Sequence, residues 1–219
     1  MFYLVTGGSG SGKSEYAEKL VTDSGFRERI YVATMEVFGE EGRKRVERHR
    51  RLREGKGFFT KECPRGLDGI TFEPVFHRDS QDPSRDKASG ALIEFGAEGA
   101  GGFVEDRKAD ACSRAVLVEC ISNLAANELF GAGGEEVDAA CGTAQSASAA
   151  LARMKQGILS LREQCRLLVV VTNEVFSDGI DYGRETKEYI RLLGEMNGWM
   201  AREADRVVEV VYGIPVEVK

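Results

Sequence analysis

The sequence predicts an α/β fold: a mainly parallel sheet flanked by helices and finished by an antiparallel hairpin at the C-terminal end. Three observations predict it. A short apolar run, Phe2 to Val5, passes directly into a glycine-rich stretch and then into a helical pattern. Further apolar runs alternate with segments of helical spacing, the order of parallel strands joined by right-handed crossovers. Near the end, Gly213-Ile214-Pro215 separates two strand-like runs by too few residues for a crossover, so a hairpin is expected there.

The first element carries the chemistry. Gly7-Gly8-Ser9-Gly10-Ser11-Gly12-Lys13-Ser14 fits G-x-x-x-x-G-K-[ST], the phosphate-binding loop of the P-loop NTPase fold. Glycines let the backbone curl so that successive N–H groups converge on phosphate oxygens, and the following helix adds the positive end of its dipole. Lys13 reaches the β- and γ-phosphates, and the Ser14 hydroxyl is a ligand for Mg²⁺. The helix runs from Lys13 to about Val21, with Tyr16, Ala17 and Leu20 at helical spacing. The motif implies a nucleoside triphosphate without saying which one.

A chain of 219 residues fits one domain, 1–219, with a substantial core. The net charge of −6 excludes a global nucleic-acid footprint. There is no apolar run of membrane-spanning length and no signal-peptide pattern, so a cytoplasmic protein without a membrane span is expected. The five cysteines are odd in number and never form C-x-x-C, which favours idle or buried thiols over disulfides or zinc. Cys63 is of interest only because it adjoins Glu62.

Ile30 to Thr34 reads as the second strand and Phe58 to Glu62 as a short third. Between them, Gly39 to Glu54 reads as a helix dense in charge. Residues at about 64–110 hold three of the four prolines and many glycines, and read as an irregular elaboration. Within it Ile70 to Phe76 could form an edge strand marked by Pro74, and His77 reads as a surface histidine. Ala115 to Glu119 is a buried strand ending in a carboxylate, and Ile121 to Phe130 a helix. Ala147, Leu151, Met154, Ile158, Leu161 and Cys165 step by 4, 3, 4, 3, 4, an amphipathic helix. Leu167 to Thr172 is the most hydrophobic strand. Tyr189, Leu193, Met196 and Met200 define the last helix, beside which Trp199 packs. Val207–Val211 and Pro215–Val218 form the closing hairpin. In such sheets ligands sit at the carboxyl ends of the strands. That gathers Thr6–Ser14, Thr34–Glu36, Glu119 and Thr172–Glu174 around one cleft. Glu119, on a strand expected beside the P-loop strand, stands where an acidic partner for Mg²⁺ belongs; the alternative is a carboxylate held in a salt bridge.

The basic helix is the second signal. Seven cations fall within the eleven residues from Arg43 to Arg53, in a chain that is acidic overall. One reading is a solvated charged face. The other is a set of guanidiniums suited to a triphosphate, because Arg45, His49 and Arg53 share one face at i, i+4, i+8. The chain's other histidine lies far away, so His49 stands alone among the arginines. Their charge disfavours imidazolium and holds a group that starts near ~6.5 in its neutral, nucleophilic form. On residues alone a nucleophile, a phosphate contact and a plain surface histidine all stand.

The sequence resembles the bifunctional adenosylcobinamide kinase/adenosylcobinamide-phosphate guanylyltransferases of cobalamin biosynthesis. The resemblance covers Leu4 through Ser14 with Ala17-Glu18, Tyr31-Val32-Ala33-Thr34, Arg45-Val46-x-x-His49-Arg50 and Thr60-x-Glu62. It continues through Leu117 to Ile121, Val171 to Val175 and Gly194-x-x-Asn197. It implies a RecA-like fold, GTP (or ATP) and Mg²⁺ as requirements, a corrinoid small-molecule substrate, and a homo-oligomer, a trimer. It also implies that His49 carries GMP and that Lys13 serves phosphoryl transfer. Positions matching Gly7, Gly8, Ser9, Gly10, Ser11, Gly12, Lys13 and Ser14 are implied to contact the nucleotide. So are Thr34, Met35, Glu36, Arg50, Arg51, Leu52, Arg53, Glu62 and Glu119, with Ser14 and Glu119 at the metal. Three departures stand out: Leu52 lies among arginines, residues 64–110 are longer than in compact relatives, and Phe176 to Tyr182 replaces a loop of small residues. The rival readings are a plain P-loop small-molecule kinase and a nucleotide-dependent switch, the latter without an N-K-x-D base-reading motif.

Overall fold

The computed structural model describes residues 1–36, 39–40, 47, 51, 53–72, 113–131, 143–176 and 179–219. Its strands are β1 (Phe2–Thr6), β2 (Glu28–Ala33), β3 (Phe58–Glu62), β4 (Arg114–Glu119), β5 (Leu167–Val171), β6 (Arg206–Val211) and β7 (Ile214–Glu217). Its continuously described helices are α1 (Lys13–Asp23), α2 (Ile121–Phe130), α3 (Thr143–Glu163) and α4 (Arg184–Glu203), and the described residues 39, 40, 47, 51 and 53 of the expected charged helix are also helical. The strands form one sheet in the order β3-β2-β4-β5-β1-β6-β7, parallel except for the β6–β7 pair.

The alternation of side chains along each central strand feeds two cores. Leu4, Val32, Val118 and Val170 face α2, α3 and α4, meeting Met154, Ile158, Leu193 and Met196. Val5, Tyr31, Leu117, Val169 and Val171 face the other way, where Ala17 and Val21 of α1 cover them. This is why Ala115–Val118 of β4 and all of β5 are unbroken apolar runs: both faces are covered. Gly157 lets α3 lie against the 3₁₀ turn Leu67–Gly69, because a Cβ there would come within 2.8 Å of the Leu67 side chain.

The hairpin forms as expected. Val211 pairs with Ile214, leaving Tyr212 and Gly213 as a two-residue turn with φ of 50° and 80°. Positive φ at both positions suits the right-handed twist of the ribbon. Three expectations change. Cys165 lies beyond the end of α3, although it still packs against the core. The described part of the expected strand at 70–76 is not extended into the sheet; Ile70 instead caps the 3₁₀ turn with its side chain buried. And β4 is not beside β1, because β5 lies between them. The rest of 73–112, including His77, lies outside the described residues. Trp199 packs against the larger core.

Candidate active site

Five parallel strands end on one side of the sheet, in register: Ala33 is level with both Glu62 and Glu119, Glu119 with Val171, and Val171 with Val5. The loops leaving these ends are tied to one another. The Thr34 amide donates to Glu119 O at 3.0 Å, the Thr172 amide to Val5 O at 2.9 Å, and the Glu174 amide to Gly7 O at 3.2 Å. These backbone bonds draw Thr6–Ser14, Thr34, Glu119 and Thr172–Glu174 together at the expected cleft.

The loop Gly7–Ser14 bridges β1 and α1. Gly12 caps α1 in the left-handed region at φ 92°, with no side-chain cap on the first-turn amides, which therefore face outward as an anion site. The loop is clamped from one side by the C-terminal ribbon. A Cβ on Gly7 would meet Val210 O at 2.5 Å, one on Gly12 would meet Gly213 Cα at 3.2 Å, and the Gly213 amide donates to Ser11 O at 2.8 Å. Glycine is required at Gly7 and Gly12 for approach as well as for φ.

Lys13 is buried and folds its Nζ back onto Gly8 O at 2.9 Å, inside the loop that would hold the phosphates. Burial lowers its ammonium below the usual lysine range, and the nearby Cys120 and Glu119 oppose that shift. Ser14 Oγ donates to Glu119 Oε1, and the Tyr31 hydroxyl donates to Glu119 Oε2 at 2.8 Å. Although β5 intervenes, α1 lies across both β5 and β4, so its first turn reaches the end of β4. The predicted metal pair is therefore in contact. A hydroxyl and a carboxylate are the hard oxygen donors that Mg²⁺ takes, usually together with waters and substrate phosphates, so this pair fits the ion.

The other predicted positions divide. The Thr34 hydroxyl is buried and donates to Cys120 O at 2.8 Å, and its carbonyl accepts from Asn127 Nδ2 at 2.8 Å; its polar groups hold the strand ends together. Met35 is half-buried, and Glu36 is paired with Arg65 at 2.8 Å. Glu62 is exposed at the end of β3. Arg51 is exposed and paired with Glu47 one helical turn earlier at 3.1 Å, an arrangement worth a few tenths of a kcal/mol. Arg53 is the opposite. It is 7% exposed, with its guanidinium carbon 3.4 Å from the centre of the Tyr31 ring, and its Nε and Nη1 have no hydrogen-bond partner. His49, Arg50 and Leu52 lie outside the described residues. Cys63, beside Glu62, is buried with its Sγ 3.1 Å from Arg65 O, and burial pushes the thiol up, so it is no nucleophile.

Sequence reasoning missed Arg65 and Asn127; it placed Asn173 at the cleft within Thr172–Glu174 and quoted Tyr31 and Asn197 in the resemblance, but gave none of the three a role. Asn173 Nδ2 donates to Ser122 Oγ at 2.6 Å, and Asn197 Oδ1 accepts from Thr172 Oγ1 at 2.7 Å, which steadies the loop after β5. Tyr31 left a signal. Within the run Ile30–Ala33 it is the one polar-tipped side chain, two residues before β2 ends, and so shares a face with Ala33.

A glycine loop between a parallel strand and a helix, with its lysine, its serine and a strand-end carboxylate converging, defines a P-loop nucleotide-binding protein. The chain belongs to the cobinamide kinase/cobinamide phosphate guanyltransferase (CobU) family, whose model matches residues 3–78 and 102–218. Similar relatives are the bifunctional adenosylcobalamin biosynthesis proteins CobU of Salmonella typhimurium and Escherichia coli. Each is 29% identical over 220 residues, spanning 100% of both chains. Among solved structures, the flagellar accessory protein FlaH from Methanocaldococcus jannaschii superposes with a TM-score of 0.40 at 10% identity, over 100% of this chain and 77% of that one.

Proposed function

We propose that this protein is a bifunctional enzyme of cobalamin nucleotide-loop assembly, acting as one domain over 1–219 with 64–110 as an elaboration. It phosphorylates the aminopropanol hydroxyl of adenosylcobinamide and then transfers GMP from GTP to adenosylcobinamide-phosphate, giving adenosylcobinamide-GDP. The observation that carries the reading is the contact of Ser14 with Glu119 beside buried Lys13, in a chain of this family.

In the first reaction the loop amides and Lys13 hold the β- and γ-phosphates of GTP or ATP. The substrate hydroxyl oxygen bonds to the γ-phosphorus, the β–γ bridging bond breaks, and the hydroxyl proton is released. Lys13 must leave Gly8 O for the phosphates, exchanging one acceptor for a charged one. Ser14 and Glu119 would hold Mg²⁺, whose charge neutralises the phosphate oxygens when bound. In the second reaction a neutral His49 nitrogen bonds to the α-phosphorus of GTP and pyrophosphate leaves. An oxygen of adenosylcobinamide-phosphate then bonds to that phosphorus and the N–P bond breaks, restoring the histidine. Arginines stabilise the leaving pyrophosphate. Arg53, buried with two bare N–H positions, is ready for that anion; Arg50 joins it, whereas Arg51 as placed here faces solvent. Contacts of Thr34, Met35, Glu36, Leu52 and Glu62 with the nucleotide belong to the same proposal, as do a cytoplasmic location and a trimeric homo-oligomer. No helix among the described residues is long and apolar enough to cross a membrane.

The experiment uses GTP labelled at the α-phosphate, with Mg²⁺, followed by denaturation. A covalent label that is acid-labile and base-stable is expected, as a phosphoramidate requires. His49→Ala should abolish the label yet leave adenosylcobinamide phosphorylation. Lys13→Ala should impair γ-transfer. A wild-type enzyme that phosphorylates but takes no label is a plain kinase, and the transferase assignment fails.

A further inference from the structure

Tyr31 lies where the two halves of the site meet, and it touches both. Its hydroxyl donates to Glu119 Oε2 at 2.8 Å, on the carboxylate whose other oxygen accepts from Ser14. Its ring carries the Arg53 guanidinium at 3.4 Å. The ring is itself fixed: Tyr31 is 3% exposed, and Phe58 of β3 meets its edge at 6.1 Å between centroids and an interplanar angle of 81°. Strand pairing sets Tyr31 level with Leu117 and Ala33 level with Glu119, so Tyr31 and Glu119 project from the same face of the sheet, two positions apart.

Each contact has a definite consequence. Glu119 has a donor at each oxygen, and the Tyr31 donor is rigid. Fixing Oε2 leaves Oε1 turned towards Ser14 and the metal position. On the other side, a buried guanidinium with bare Nε and Nη1 would be unfavourable without compensation. The face of a desolvated aromatic ring supplies part of it while leaving those N–H groups free for an anion. Stacking also fixes the plane of the guanidinium, which matters for bidentate phosphate contact.

We infer that Tyr31 is a positioning residue serving both reactions: its hydroxyl sets the metal-binding carboxylate Glu119, and its ring docks Arg53 of the basic segment onto the phosphate site. The inference rests on the proposed function, and two separable atoms of one side chain carry its two parts.

The test separates them. Tyr31→Phe keeps the ring and deletes the hydroxyl; Tyr31→Leu deletes both. For Tyr31→Phe, the Mg²⁺ concentration giving half-maximal γ-transfer should rise about 10-fold, while covalent GMP labelling stays within about two-fold of wild type. For Tyr31→Leu, labelling should also fall, by about 10-fold, and Arg53→Lys should reproduce that fall, because a lysine carries the charge without the planar stack. Calorimetric binding of a non-hydrolysable GTP analogue gives a reading that needs no turnover. Wild type and Tyr31→Phe should bind alike in EDTA, and Tyr31→Phe should lose most of the gain that Mg²⁺ brings. An unchanged Mg²⁺ dependence in Tyr31→Phe, by rate and by calorimetry, overturns the hydroxyl's role. Equal labelling in Tyr31→Leu and Tyr31→Phe overturns the ring's role. A wild type without label sinks the transferase reading instead, and the calorimetric arm still judges Tyr31.

Discussion

Ser14 and Glu119 lie 105 positions apart in sequence, yet the Ser14 hydroxyl donates directly to Glu119 Oε1. The contact crosses β5, which separates their strands, because the first turn of α1 overhangs the end of β4. Glu119→Gln keeps the shape but exchanges a carboxylate oxygen for an NH₂ facing a hydroxyl donor. We expect γ-transfer to fall by about 10² or more, the size seen when one preorganised charge-stabilising group is removed. Ser14→Ala should fall as well, and the double variant should fall by less than the product, since the two act as one unit. Steady-state rates at saturating Mg²⁺ check this; a fully multiplicative loss would show the contact to be incidental.

Lys13 sets function against stability. Its ammonium is buried, and burial lowers its pKa below 10.5. A base with a depressed folded pKa destabilises the fold while charged. The unfolded chain binds the proton more readily, so wild-type stability rises as pH climbs from the lowered folded value towards 10.5. Lys13→Met removes the charge and keeps the aliphatic stem. The nucleotide-free variant should be more stable at pH 7 by roughly 1 kcal/mol, about 2–4 °C in Tm for a chain of this size. That gain should shrink as pH approaches 10.5, while nucleotide binding is lost throughout. Thermal unfolding between pH 7 and pH 10 measures it; a variant less stable than wild type at pH 7 contradicts the account.

Much of this was legible because it is local. The run Phe2–Val5 followed by Gly7–Ser14 fixes strand, loop and helix through spacing alone, and the apolar runs Ala115–Val118 of β4 and Leu167–Val171 of β5 announce their burial on both faces. Strand order was not legible. Nothing in Ala115–Glu119 says that β5 rather than β1 is its neighbour, because both are buried apolar strands. Within the basic segment, composition treats Arg51 and Arg53 alike. Only the ring of Tyr31, brought across from β2, makes one buried and leaves the other in solvent. Arg65 and Glu36 find each other from separate loops, 29 positions apart, a pairing no periodicity encodes.

Gly213 joins the last hairpin to the phosphate loop. It sits at φ 80°, and its amide donates to Ser11 O at 2.8 Å. Gly213→Ala puts an L-side chain in the left-handed region, which costs about 1–2 kcal/mol, and strains the turn that clamps the loop. Gly25 gives a control. It has φ 77°, open space around its would-be Cβ, and lies before β2, at the far end of the sheet from the loop. Gly25→Ala and Gly213→Ala should lower stability by similar amounts in urea titration, but only Gly213→Ala should weaken triphosphate binding, by about five-fold or more. Equal binding in the two variants would show that the hairpin does not steady the loop.

The three described cysteines should be silent at neutral pH and destabilising at alkaline pH. Burial pushes the Cys165 thiol up to about 12 and raises those of Cys63 and Cys120 above 9.0. In the unfolded chain these thiols ionise near 9, whereas the folded chain keeps their protons. Stability contributed by the protonated thiols is therefore complete below 9 and is lost as pH rises, through about 12 for Cys165, at up to ~1.4 kcal/mol per pH unit per thiol. In a Cys112→Ser/Cys141→Ser background, iodoacetamide at pH 8 should label the native protein slowly and the urea-unfolded protein at three sites quickly. Replacing Cys165 by Ser in that background should flatten the fall of stability between pH 9 and pH 11. A native thiol reacting as fast as a free one, or an unaltered alkaline slope, would mean that these sulfurs are not held away from water as the fold places them.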